Sequence, residues 1–280
     1  MSERRPQIPG EVRAARGADG ARIEYEIVGD GPPLVMLHGF LANRYAFSRQ
    51  RAELAARYRL ILVSFRSSDG SDNLLPPNYG VGTSDVDDLR AVLDAEKLDQ
   101  INLLGHSSGG ATAFVFASQS PNRVARLVLL EPSLFALLPP ADHANVLAEN
   151  AAVIAVGEAE GPLECMRAAI VGAAGEAWTR LDAPTQATRL QALAASAPLA
   201  GPHLRGLNDL AVTEGQATSL RPPALLLYGA NSFWFEAIIA DRFRVLRPDL
   251  RVLSIENAAH NVHRDRADIV NAEVLAFLAS

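Results

Sequence analysis

Short apolar runs bounded by turn residues alternate along the chain with longer amphipathic stretches. This is the pattern of a mostly parallel central sheet covered by helices on both faces, an α/β architecture. After a polar leader, Arg22-Ile23-Glu24-Tyr25-Glu26-Ile27-Val28 alternates polar and apolar like a half-exposed strand, and Gly29-Asp30-Gly31-Pro32-Pro33 turns it. The runs Leu34 to Leu37, Leu60 to Val63, Ile101 to Leu104, Leu127 to Leu130, Ala224 to Tyr228 and Arg251 to Ile255 are mostly near-continuous, as strands buried on both faces require. Between them, Thr83 or Ser84 can cap a helix carrying Val86, Leu89, Val92 and Leu93, with Asp85, Asp87 and Asp88 near its positive end. Residues 266 to 279 repeat the helical spacing.

Residues 134–220 differ in character: they are alanine-rich, contain no convincing strand and are flanked by Pro139-Pro140 and Pro222-Pro223. They read as a helical cap inserted into a core made of residues 1–133 and 221–280. Gly161-Pro162 and Gly201-Pro202 are expected to break the cap into at least three pieces. With 280 residues, 49% of them hydrophobic, the chain can bury a full-sized core. A formal net charge of -6 is the opposite of the basic footprint used for phosphate backbones, so nucleic acid is not an expected partner. One cysteine, Cys165, excludes an intramolecular disulfide and multi-thiolate metal sites and fits a reducing compartment. The charged start lacks an apolar segment behind it, and no stretch approaches the roughly 18 apolar residues that span a bilayer. A cytoplasmic protein without membrane association is the expectation.

Gly105-His106-Ser107-Ser108-Gly109 is a G-x-S-x-G motif directly after a strand run and directly before a helix candidate. A serine on such a sharp turn projects its hydroxyl above the sheet, and the following helix N-terminus favours developing negative charge. Here the chain resembles the α/β-hydrolase family over nearly its whole length outside the cap. His38-Gly39-Phe40 is similar to the family's oxyanion loop, Ser107 to its nucleophile and His260 to its base. The segment His260-Asn261-Val262-His263-Arg264-Asp265 resembles the family's histidine segment, with substitutions. The resemblance implies a Ser107 hydroxyl activated by the His260 imidazole, and an oxyanion held by the Phe40 and Ser108 backbone amides. His38, Gly39, His106 and Trp234 are expected to bind substrate, with His38 and His106 read as loop-building or pocket-lining rather than catalytic. His143 and His203 are read as solvated or substrate-facing, and His263 as packed locally. Trp234 and Phe235 either line the site or pack.

The third member departs from the family pattern. Where most members carry an acid, the turn reads Gly229-Ala230-Asn231-Ser232. Either the acid has moved to Glu131, at the end of the Leu127 to Leu130 run as in certain haloalkane dehalogenases and zearalenone-type lactonases, or Ser232 or Asn231 orients the ring. Glu131 is favoured, because a carboxylate at an apolar strand tip is costly without a partner; Glu236 is a more distant choice. The loop Ser64-Phe65-Arg66-Ser67-Ser68-Asp69-Gly70-Ser71-Asp72 replaces two of the family's glycines by Ser67 and Asp69, which predicts an altered shape. The leading expectation is a serine hydrolase of a small hydrophobic ester or lactone, with no cofactor and no metal. A C–C bond hydrolase or a cofactor-independent dioxygenase of the same fold, and a ligand-binding receptor on this scaffold, stay open.

Overall fold

The computed structural model describes residues 9–174 and 176–280. Eight strands form one sheet: β1 (Glu11–Arg16), β2 (Arg22–Val28), β3 (Pro33–Leu37), β4 (Arg59–Val63), β5 (Ile101–His106), β6 (Val124–Leu130), β7 (Ala224–Gly229) and β8 (Arg251–Ile255). Their spatial order is β1-β2-β4-β3-β5-β6-β7-β8. Pairing is antiparallel for β1 with β2 and β2 with β4, and parallel elsewhere. The six apolar runs and the alternating segment are all strands, but β2 is buried rather than half-exposed, its Glu24 and Glu26 paired with Arg44 and Arg51. The polar leader conceals the eighth: only Ala15 of β1 is buried, so no hydrophobic alternation marks an edge strand held by backbone bonds to β2 and by Arg13 to Glu96.

Helices α1 (Ser48–Ala55), α2 (Ser84–Ala95) and α3 (Ser108–Gln119) follow β3, β4 and β5. Six more stand between β6 and β7: α4 (Pro140–Glu160), α5 (Pro162–Ala174), α6 (Glu176–Thr179), α7 (Ala183–Leu193), α8 (Ala200–Asn208) and α9 (Glu214–Ser219). Then come α10 (Trp234–Leu246), α11 (Val262–Asp265) and α12 (Ala267–Ala279). The two faces of the sheet bury separate apolar clusters. Val35, Leu37, Ile61, Leu103 and Leu129 face α2, α3 and α10, whereas Leu34, Met36, Leu60, Leu104 and Val128 face α1 and α12.

Two local expectations need correction. Gly161-Pro162 separates α4 from α5, but Gly201-Pro202 lies inside the first turn of α8, where proline's missing N–H would have no helical acceptor anyway. Thr83 precedes α2 without its side chain capping it; that hydroxyl donates back to the Gly80 carbonyl, and Ser84 Oγ accepts from Gly80 N–H. Among the described residues, no helix is long and apolar enough to cross a membrane.

Candidate active site

The carboxyl ends of the parallel strands gather the singled-out residues, as expected for a ligand crevice in an open α/β sheet. His38 follows β3, Ser107 follows β5, Glu131 follows β6, Ser232 follows β7 and His260 follows β8. Ser107 has φ 54° and ψ -121°, a left-handed backbone at the step from strand to helix that costs a non-glycine residue energy and is the geometry of a nucleophile elbow. Its neighbours make room for it. A Cβ on Gly105 would lie 2.2 Å from the Gly109 carbonyl oxygen, and one on Gly109 would lie 2.4 Å from the His38 carbonyl oxygen. Both glycines are therefore demanded by close backbone approach. A Cβ on Gly39 would lie 2.9 Å from Ser107 Cβ and 3.0 Å from His106 Nδ1.

Glu131 is fully buried and, like Ser107, has a positive φ, of 48°. Its Oε1 accepts from Gly229 N–H at 2.6 Å; its Oε2 accepts from the Ser232 hydroxyl at 2.6 Å and from His260 Nδ1 at 2.6 Å. Three donors and no acceptor meet the Glu131 carboxyl, and the bond to Nδ1 sets the orientation of the imidazole. The sequence offered Glu131 and Ser232 as competing supports for His260, yet both belong to one chain of bonds, from Ser232 to Glu131 to His260. Asn231 is used otherwise: its backbone N–H binds the Ala258 carbonyl.

The Ser107 hydroxyl lies 3.3 Å from the Ser133 hydroxyl, a partner the sequence reading did not single out. Gly39 approaches Ser107 and Ser108 follows it in the chain, and among the described residues no bond from the Phe40 or Ser108 N–H to a carbonyl outside regular helix and strand pairing is present. Ser108 is the first residue of α3, where the helix leaves its N–H without an internal partner. His106 is buried, with its ring 4.8 Å from that of His260 and Nε2 donating to the His260 carbonyl at 2.9 Å. Burial, then the charges of His263 and His260, pushes its pKa well below the ordinary histidine value.

His38 is a brace: Nδ1 donates to the Gly39 carbonyl at 2.8 Å, and Nε2 accepts from Phe65 N–H at 3.0 Å. Burial lowers its pKa to about 4. His203 is buried rather than solvated, stacked on Phe40 with ring centroids 4.7 Å apart, and His263 packs on His106 and Phe47. Trp234 is half exposed and lies edge-on to Phe235, whereas the aromatic ring against His260 is Phe233, at 4.7 Å. Phe233 stands one residue before α10, and nothing in the local sequence distinguished it from its aromatic neighbours. Glu236, the distant choice, places Oε1 3.8 Å from His260 Nδ1. Donor atoms of Glu131, Glu236 and His260 lie within 4.8 Å of one another, the chemistry of a cation site. A cation there would displace the donors that Glu131 already accepts.

The altered loop after β4 keeps a glycine-like backbone without glycine: Ser67 has φ 59° and Asp69 φ 48°. Asp69 is held by the Ser64 hydroxyl at 2.7 Å and lies 3.6 Å from Arg44, while Arg66 binds Asp88 and Asp19. The Ser67 carbonyl accepts from the Ser196 hydroxyl, tying this loop to the helices between β6 and β7.

Residues 32–164 match the model of the α/β hydrolase fold family. An uncharacterized protein of Mycobacterium tuberculosis is 33% identical over 117 residues, 41% of this chain; the chain spans about a third of that relative's length. A bovine (lyso)-N-acylphosphatidylethanolamine lipase is 27% identical over 272 residues, covering 88% of this chain and 78% of its own. An esterase from a Rhodococcus species superposes with a TM-score of 0.73 at 27% identity, covering 96% of this chain and 98% of its own. An enol-lactonase from Burkholderia xenovorans gives 0.77 at 18% identity, covering 96% and 100%. With the strand order and the serine turn already in place, these likenesses decide the architecture: the chain has the α/β-hydrolase fold.

Proposed function

We propose that the protein is a serine hydrolase that cleaves a carboxylic ester or lactone of a small hydrophobic molecule through an acyl-enzyme. The observation that carries this reading is the 2.6 Å bond from His260 Nδ1 to the buried Glu131, at the same sheet edge as the strained Ser107 turn. In this reading His260 Nε2 takes the Ser107 hydroxyl proton as Oγ attacks the substrate carbonyl, and the imidazolium formed is stabilised by Glu131. The Phe40 and Ser108 N–H groups hold the oxyanion. His260 then returns its proton to the leaving alcohol, and water, deprotonated by the same nitrogen, releases the acid. The esterase and lactonase similarities support the bond type.

Residues 134–220 serve as a cap over this site and set the substrate. Ile154, Cys165, Met166, Ala197, Ala200 and Leu204 form an apolar cluster within the cap, and Phe40 and Leu41 of the oxyanion loop pack against it. That contact favours a hydrophobic group beside the scissile carbonyl. The test is turnover of a chromogenic short-chain ester. Ser107→Ala is expected to lower kcat by about 10⁴ or more, and turnover retained in that variant overturns the reading. Oxygen consumption that survives Ser107→Ala but is lost in His260→Ala would assign the site to dioxygenase chemistry instead.

A further inference from the structure

Glu236 sits in the first turn of α10, is 2% exposed, and has work in no step above. Among the described residues its Oε1 has no hydrogen-bond partner, although it lies 3.8 Å from the imidazole nitrogen that Glu131 holds at 2.6 Å. A buried carboxyl oxygen without a partner is costly, and a leucine at this helix position would avoid the cost. The titratable groups facing it are Glu131, from the turn after β6, and His260, from the loop after β8. Other elements packed on α10 present their charged groups further along it: α9 through Glu214 to Arg242, and β7 through Tyr228 to Arg244. Phe233 stacks on Phe235 and lies against His260, and both carboxyls are buried.

We propose that Glu131 and Glu236 form an acid dyad that carries one negative charge, with Glu236 a positioning residue that takes over the His260 Nδ1–H bond whenever Glu131 is neutral or absent. Two buried carboxylates this close do not both ionise at low cost, so one proton serves the pair. Glu131, with three donors, holds the charge at rest. Burial first and the Glu131 charge second keep the Glu236 carboxyl well above the usual carboxylate range. Protonation of Glu131 removes that repulsion, and the proton it gains is the one Glu236 releases. The dyad thus keeps an acceptor on Nδ1 when either carboxyl is neutral.

The inference rests on the serine hydrolase reading, and its test compares Glu131→Ala, Glu236→Gln and the double variant in the full chain. Removal of a triad acid costs about 10⁴ in kcat. With Glu236 in reserve, Glu131→Ala is expected to lose only about 10- to 100-fold, with a new acid limb in its kcat/KM profile as Glu236 must ionise. The double variant falls to the full loss of about 10⁴. Glu236→Gln then costs at least about 100-fold in the Glu131→Ala background and only a few-fold where Glu131 is intact. The His260 Nδ1 proton, followed by proton NMR on folded protein, gives a readout independent of turnover: its downfield signal persists in Glu131→Ala and vanishes in the double variant. A full loss in Glu131→Ala that the second substitution does not deepen, or a downfield signal absent from Glu131→Ala, overturns the dyad. Hydrolysis surviving Ser107→Ala would instead overturn the hydrolase reading, and the NMR comparison would still decide the dyad.

Discussion

Ser107 and Glu131 end neighbouring parallel strands and both adopt a left-handed backbone, at φ 54° and 48°, yet different forces hold them. Around Ser107 the chain passes so closely that Gly105, Gly109 and Gly39 admit no side chain without collision. Around Glu131 the space is filled by donors: Gly229 N–H, the Ser232 hydroxyl and His260 Nδ1. The Ser107 side is fixed by shape and the Glu131 side by polar satisfaction. Steric change should therefore break the first outright, whereas loss of single bonds should degrade the second by steps.

The largest effect is expected from Gly109→Ala, whose Cβ would meet backbone carbonyls of His38 and Leu37 at 2.4 and 2.5 Å. Neither can yield without moving β3, so a loss above about 4 kcal/mol, or no soluble protein, is expected. Thermal unfolding measures it, and a variant as stable as the parent would refute the shape argument. Acid comes next and strikes the Ser107 side first. His38 is held neutral down to about pH 4 by burial, while its unfolded form binds a proton below about 6.5. Between those values the unfolded state carries the extra proton, so stability falls as pH drops, by about 1.4 kcal/mol per pH unit for this group, and levels off below the folded pKa. His38→Gln should flatten that slope in denaturant titrations from pH 7 to 4; an unchanged slope would mean that other groups, such as His203 or His263, carry it.

On the Glu131 side, Ser232→Ala removes one of the two donors to Glu131 Oε2 and should cost about tenfold in kcat, about 1.4 kcal/mol, with KM nearly unchanged. A loss near 10⁴ would instead make Ser232 the principal support of His260. The smallest effect is expected from Ser133→Ala. Its hydroxyl meets Ser107 Oγ at 3.3 Å, a long neutral bond, and its loss should change kcat by less than about fivefold and stability by less than about 1 kcal/mol.

The strands β3 to β7 were legible because burial on both faces demands near-continuous apolar runs, whereas the half-exposed β8 shows only Val252, Leu253 and Ile255. β1 was not, since its side chains other than Ala15 are exposed and it is held by backbone pairing to β2 and by the Arg13 to Glu96 ion pair. The Gly201-Pro202 pair misled because proline breaks a helix interior but suits a first turn. At the site, Ser107 announced itself through two glycines within five consecutive residues, although the approach that demands Gly109 is to the Leu37 and His38 carbonyls at the end of β3. Trp234 and Phe233 could not be told apart, because which of two adjacent rings meets His260 depends on where α10 begins and how it leans on the sheet.

The sequence by itself determined the sheet's buried strands, the serine turn and the absence of the usual acid at Asn231-Ser232. Only the tertiary structure decided which carboxylate meets His260. Glu131, Ser232, Glu236 and His260 are separated by up to 129 positions, and no local pattern couples them. Parallel pairing of β6 with β7 and of β7 with β8 brings their carboxyl ends together, and burial there obliges Glu131 to collect the donors those ends supply.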